Sequence, residues 1–341
     1  MKRLPEVNED FSKLYQILLA PIRTKLMMTG LELKIFNELS EFISADRVAQ
    51  AIGSHAENTR RFLDSLAMID LVEKKNGLYR NLPATQIFLR ECALAYLEPL
   101  FLATQRGSID FLDNLNDLIR QGPSPISPEA ADMADESFWA VAAEAGVGWA
   151  VGGVSQIITK IIRQLPEFPS FKKMLDLGGG PGIFGIAIVS EHPSMKGIIF
   201  DQPAVVKVAE KYIREYELED RMETMAGDYM KDSIGQNYDL IWASATLNFV
   251  RHDIDAMIKK IYDAIRPGGV FISFADGMTH ERTRPDTMLG HIGSGMKTGT
   301  DFGFEQGEIA DAMIRAGFRS VRSRTLKTPV GDMDMDIARK G

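Results

Sequence analysis

The chain has 341 residues, and its 39 Lys and Arg against 47 Asp and Glu leave a formal net charge of −8. That length allows about two domains and a core that needs no disulfide or metal staple, while the acidic balance argues against a general nucleic-acid binder, which needs a basic face. One cysteine, Cys92, excludes an intramolecular disulfide framework and a cysteine-rich metal site, and the five histidines include no pair at the i, i+4 spacing of a helical zinc site.

Along the first hundred residues, Leu14, Ile17, Leu18, Ile22, Leu26 and Met27 recur at helical spacing, and a second helical run covers 31–39. A short helix at 45–52, a break at Gly53-Ser54 and a helix at 57–68 follow. Residues 72–79 then read as strand, turn, strand, with Asn76-Gly77 as the turn. Helix, helix, hairpin is the order of a winged helix. DNA binding is the sharp reading of that order, but residues 1–100 hold 13 basic and 13 acidic side chains. The candidate recognition helix sets Glu57 and Asp64 beside Arg60 and Arg61, so a structural or dimerisation role is favoured.

Residues 122–135 form a Pro/Ser-rich connector that reads as a loop. Helical patterning resumes over 136–165, with Phe138, Trp139, Val141, Val147 and Trp149 on an apolar helix loosened by Gly146, Gly148, Gly152 and Gly153. From Phe171 the texture changes. Strands at 173–177, 197–201, 238–244 and 270–274 alternate with helices at 183–190, 204–216 and 254–265, and a short extended segment at 222–226 lies among them. That alternation predicts an α/β fold with a parallel, doubly wound sheet. Apolar stretches read as too short and interrupted to span a bilayer, and Met1-Lys2-Arg3 leads into polar residues, so the expected setting is cytoplasmic.

The most informative segment is Leu175-Asp176-Leu177-Gly178-Gly179-Gly180-Pro181-Gly182. Glycines at a strand's C-terminal end let the chain turn sharply and bring a ligand against bare backbone. Gly180-Pro181-Gly182-Ile183-Phe184-Gly185 also satisfies the dinucleotide spacing, with Asp201 at a suitable distance, so a nicotinamide-dependent oxidoreductase competes at this point. Asp201 ends the second strand, where a carboxylate can take both hydroxyls of a ribose. Gly227-Asp228-Tyr229 places an acid beside an aromatic ring, a pairing able to read an adenine amino group and cover its ring.

Those motifs, with Phe200-Asp201-Gln202-Pro203 and Arg266-Pro267-Gly268-Gly269, resemble class I S-adenosylmethionine-dependent methyltransferases. More closely, the chain is similar to the small-molecule O-methyltransferases that carry an N-terminal winged-helix dimerisation domain. The resemblance runs from about residue 12 to 338. It implies a Rossmann-like doubly wound sheet methyltransferase domain at 166–341, a winged-helix dimerisation domain at 1–100, and a helical connector at 101–165 that contributes to the acceptor pocket. It implies S-adenosyl-L-methionine as cofactor, a small-molecule methyl acceptor and a homodimer, while the charge balance disfavours nucleic acid as a partner and the short apolar stretches give no expectation of a membrane. In the implied roles, Gly178 and Gly180 approach the methionine part of the cofactor. Asp201 holds the ribose, Gln202 lies beside the adenine, Asp228 and Tyr229 contact the adenine end, and Ser244 lies near the methionine carboxylate.

The pattern departs from the family at one place. Where its O-methyltransferases set a catalytic histidine after the fourth strand, this chain reads Thr246-Leu247-Asn248-Phe249, with Asn248 at the histidine position. An Asn amide orients an acceptor but is no base at neutral pH. His252 is one replacement, on a solvated helix start. His291 is the better placed, in a segment that lines the acceptor pocket in the family; the bacteriochlorophyllide C-methyltransferase branch has a similar histidine there and also lacks the usual base. Asp276 lies near a family acidic position. Trp139, Met288 and Met296 are expected to line the acceptor pocket, the two methionines by their place in the chain, although Met at helical spacing is more often core. The missing base favours an acceptor that is already nucleophilic, such as a sulfur or carbon centre, or one deprotonated by His291. A cofactor-sensing DNA-binding regulator with a decayed site is the other alternative.

Overall fold

A computed structural model describes residues 6–93, 95–109, 113–123, 136–299 and 303–341, in two compact units, Met1–Glu98 and Pro99–Gly341. Within the first, helix α1 (Ser12–Glu32) is followed by β1 (Ile43–Ser44), α2 (Ala45–Ile52), α3 (Ala56–Met68), β2 (Val72–Lys75) and β3 (Leu78–Asn81). The three strands pair antiparallel in the order β1-β3-β2. Local chemistry sets these boundaries. The Ser44 hydroxyl accepts the Arg47 N–H to cap α2, and Gly53, at φ 66, ends it. Asn76 at φ 50 and Gly77 at φ 79 make the hairpin turn their types predict. Leu31, Phe36, Leu39, Val48, Leu63 and Leu66 form the buried core.

The winged-helix order is present, but α3 offers no free basic face. Arg60 pairs with Glu57 at 2.7 Å and Asp64 at 3.2 Å, and Arg61 pairs with Glu57 at 3.2 Å. On α1, Leu14, Ile17, Leu18 and Ile22 are exposed.

In the second unit, α4 (Glu136–Trp149) runs through a π-helical turn at Ala150–Val154 into α5 (Ser155–Ile162). Gly153, at φ 117, marks the bend. Then come β4 (Lys173–Leu177), α6 (Ile183–Ser190), β5 (Lys196–Asp201), α7 (Pro203–Glu215), β6 (Met222–Ala226), β7 (Tyr238–Ser244), α8 (Ile254–Ala264), β8 (Ile265–Ala275), α9 (Glu308–Ala316), β9 (Ser320–Thr328) and β10 (Gly331–Arg339). Among the described residues these strands make one seven-stranded sheet, ordered β9-β10-β8-β7-β4-β5-β6.

The all-parallel expectation is corrected here. β10 lies antiparallel to both β8 and β9, so the sheet is mixed. The Arg266-Pro267-Gly268-Gly269 motif lies inside β8, where the pairing with β7 shifts register between Tyr238 and Leu240.

Alternation sends successive side chains of the central strands to opposite faces. Met174, Leu240, Trp242, Ile272 and Phe274 join one core with Ile158, Phe184 and Ile186. Leu175, Ile241, Ala243 and Phe271 join the other with Ile258, Ile261 and Met313. Helices therefore cover both faces, which puts the strand ends and their loops in position to build a site.

By length and composition Trp139–Ile162 is apolar enough to cross a membrane, contrary to the sequence expectation. Here Val154, Ile158 and Ile162 are instead buried in the core beside the sheet. The connector expected at 122–135 lies, from residue 124 onward, outside the described residues, as does the side chain of Phe138.

Candidate active site

Two adjoining cavities lie in the second unit. The first, of about 230 Å³, forms around the glycine loop that leaves β4. Gly178 and Gly180 adopt φ 61 and 55, a left-handed conformation that side chains resist. A Cβ at Gly178 would come within 2.4 Å of the Thr246 methyl, so the loop is packed to the limit on its inner side. At Gly180 the same position is open space. The Thr246 hydroxyl clamps the strand end by donating to the Leu177 carbonyl at 2.8 Å.

Asp201, at the end of β5, ties two loops together. Its Oδ2 accepts the Gly180 N–H at 2.8 Å and its Oδ1 accepts the Gln202 N–H at 2.8 Å. Burial raises this carboxyl's pKa, and those two N–H groups oppose the rise. Asp176 lies fully buried beneath the loop, with Oδ2 accepting the Gly185 N–H at 2.9 Å. Burial pushes its carboxyl up to about 7; Gly185 works the other way and the Asp201 charge adds to the rise.

Gly178, Gly180, Asp201, Gln202, Tyr229 and Ser244 all line this first cavity. The Ser244 hydroxyl is buried without a hydrogen-bond partner among the described residues. Burial raises the Tyr229 hydroxyl well above the usual phenol range, with the Asp201 and Asp228 charges adding to it. Asp228 itself is not in the lining. Its Oδ1 accepts the Met230 N–H at 2.9 Å and its Oδ2 pairs with Lys231 at 3.0 Å. An acid two residues before a free N–H closes such a turn readily, and that local bond competes with ligand contact.

The chain leaves β7 abruptly. Ala245 sits at φ 52, and its N–H donates to the Phe274 carbonyl at 2.9 Å. A non-glycine residue in this conformation stores strain of order 1–3 kcal/mol, which surrounding structure must hold. The turn puts Ser244 on the first cavity and Asn248 on the second.

The second cavity, of about 260 Å³, is lined by Leu100, Trp149, Ala245, Asn248, Phe249, Asp276, Thr287, His291, Val330 and Met333. Asn248 and His291, far apart in sequence, thus meet in one space. His291 Nε2 lies 4.0 Å from Asp276 Oδ2. Burial raises the Asp276 pKa, while His291 and the Thr287 hydroxyl oppose the rise and Asp334 adds to it.

Other expected residues fall elsewhere. Trp139 lines the first cavity, edge-on to Phe249 with ring centroids 5.0 Å apart. Met288 and Met296 are half-buried and line neither cavity. His252 is exposed in a short 3₁₀ segment before α8. Asp176, Trp149 and Thr287 line the cavities without having been singled out by role. Position in the strand–glycine motif was the available signal for Asp176; nothing local marks Trp149 or Thr287.

Residues 145–299 match the family model for the O-methyltransferase domain, and residues 15–91 match that for the O-methyltransferase dimerisation domain. The chain belongs to the O-methyltransferase family. Its relatives are distant. The N,N-dimethyltransferase OxyT of Streptomyces rimosus is 23% identical over 323 residues, covering 94% of each chain. An uncharacterised protein of Methanocaldococcus jannaschii, MJ0086, is 26% identical over 253 residues, which are 73% of this chain and 65% of that one. The crystal structure of human N-acetylserotonin methyltransferase in complex with SAM superposes with a TM-score of 0.78 at 23% identity, over 99% of this chain and 100% of that one. An O-methyltransferase family protein of Burkholderia thailandensis gives a TM-score of 0.76 at 20% identity, over 98% and 99% of the two chains. The glycines that also satisfy a dinucleotide spacing thus lie in a methyltransferase domain, and the winged helix lies in a dimerisation domain, which supports a homodimer.

Proposed function

We propose that this enzyme transfers a methyl group from S-adenosylmethionine to a small acceptor held in the second cavity, with His291 taking the acceptor's proton. The observation that carries the reading is the shared wall. Trp149, Ala245 and Phe249 line both cavities, so a donor on the glycine loop and an acceptor beside Asn248 and His291 meet across a common border.

The first cavity fits the donor. Gly180 leaves room for close backbone approach, the Ser244 hydroxyl lacks a partner among the described residues, and Asp201 is held in place by two backbone N–H groups. In this reading Gly178, Gly180 and Ser244 hold the methionine end. Asp201 takes the ribose hydroxyls, and Gln202 and Tyr229 enclose the adenine. Asp228 serves by fixing the Tyr229 loop. The bound donor supplies an electrophilic methyl on a positively charged sulfur.

In the second cavity, Asn248 orients the acceptor and His291 accepts its proton, with Asp276 behind the ring. Alignment itself contributes on the order of 7–11 kcal/mol in favourable cases, so the chain's main work is positioning. A second reading rests on Asn248 standing where the family's usual histidine does: a sulfur or carbon acceptor needs no strong base. A cytoplasmic setting is part of the proposal and accords with a single cysteine.

The test is calorimetric titration with S-adenosylmethionine, S-adenosylhomocysteine and NADH, then transfer of labelled methyl to phenols, amines, thiols and tetrapyrroles. Saturable binding of the first two ligands alone is expected. Binding of NADH alone overturns the reading. Labelling only of thiols or tetrapyrroles, unchanged in His291→Ala, selects the base-free reading.

A further inference from the structure

We propose that the Trp149 ring reads the positive charge of the methyl donor, adding affinity for the charged donor that its neutral demethylated product does not gain. The inference rests on the methyltransferase reading above. Trp149 is the last residue of α4, where the helix passes into its π-helical turn. Its ring stacks on Phe274 at 6.2 Å and 10°, and Phe274 in turn stacks on Trp242 at 5.8 Å and 26°. Phe184 meets it edge-on at 5.2 Å and 80°. One face and one side of the indole are thereby fixed by the core, yet the half-buried ring still lines both cavities.

A methyl that passes from one cavity to the other crosses their border, and the sulfur that carries it must lie there. Among the described residues, Trp149, Ala245 and Phe249 make up that border. Ala245 contributes a methyl group and no charge. The carboxylates lie to either side: Asp176 and Asp201 line only the first cavity, and Asp276 lines only the second. An aromatic face attracts a desolvated cation more strongly than it attracts a neutral thioether. A ring braced by stacking holds that face in place without reordering at each turnover. The consequence is easier release: once the methyl has left, the sulfur is neutral and only the weaker sulfur–aromatic contact remains.

The test titrates the full chain with S-adenosylmethionine and S-adenosylhomocysteine by calorimetry, in wild type, Trp149→Leu and Trp149→Phe. The Leu variant should weaken the charged ligand by about tenfold and leave the neutral one within about twofold, and Phe should restore most of the loss. Equal loss of both ligands, or no change in their ratio, overturns the proposal. So does a ratio that collapses in Asp276→Asn while surviving in Trp149→Leu. Failure of the wild type to bind either ligand overturns the methyltransferase reading itself, a separate result.

Discussion

Asp201→Asn removes one charge and keeps the shape of the side chain. Its effect on binding should far exceed its effect on folding. Both oxygens of Asp201 accept backbone N–H bonds, from Gly180 and Gln202, each at 2.8 Å. An amide has one oxygen, so one of those N–H groups must face an NH₂. Stranding it costs about 1–3 kcal/mol. Burial raises the Asp201 pKa, so removing the charge recovers desolvation and brings the net cost toward the low end. A domain of this size loses roughly 2–4 °C of Tm for each kcal/mol, so a shift of a few degrees is expected. Hydrogen bonds to a charged group contribute about 1.5–3 kcal/mol each and neutral ones about 0.5–1.5, so neutralising the partner of two ribose hydroxyls costs about 2–3 kcal/mol. At about 1.4 kcal/mol per decade, affinity for S-adenosylhomocysteine should fall by roughly thirtyfold to a hundredfold. Calorimetry and thermal melting on the same preparation separate the two effects. An affinity within threefold of wild type refutes the placement of the ribose. A melting point lower by more than about 15 °C refutes it differently, by making Asp201 a structural residue.

Asp176→Asn tests the buried acid under the glycine loop. The folded-state pKa of about 7 lies above the unfolded value of 3.8, so the folded chain holds the proton more tightly and its stability falls as pH rises through that window. The Asn variant should flatten the decline of Tm between pH 4 and 7; parallel curves for the two proteins would remove Asp176 as its source. His291→Ala should lower kcat by about a hundredfold on a hydroxyl acceptor while leaving S-adenosylhomocysteine affinity unchanged. Unchanged turnover would favour the base-free acceptor. On α1, Ile17→Asp with Leu18→Asp places two charges on residues that are 70% and 69% exposed in the single chain. If this face is buried between protomers, light scattering should show a monomer with the fold retained by circular dichroism; an intact dimer would put the interface elsewhere.

Much of the first cavity's lining was legible because those residues sit where backbone geometry local in sequence puts them. Gly178, Gly180 and Asp201 follow the ends of two strands, and the apolar runs that mark those strands also mark the ends. Asp228 shows the limit of that logic. Its position beside Tyr229 looks like an adenine contact, but a turn bond to Met230 and an ion pair with Lys231 take up its carboxylate. Met288 and Met296 were singled out by place in the chain, and half-burial away from both cavities shows that place in a segment does not set the direction of a side chain.

The C-terminal hairpin escaped for a different reason. β9 is largely exposed and β10 alternates Asp332, Asp334 and Asp336 with apolar residues, so neither carries the continuous apolar run that announces a buried parallel strand. Its antiparallel insertion depends on pairing with β8, a contact between segments some sixty residues apart.

By itself the sequence determined the winged-helix order, the doubly wound core and the glycine loop, because periodicity and turn chemistry are properties of neighbours along the chain. Only the tertiary structure decided that Asn248, Asp276 and His291 share one cavity and that Trp149 joins it to the other. Those residues come from a helix, a strand exit and two 3₁₀ segments, and no pattern within any one of these segments encodes where the others will be packed.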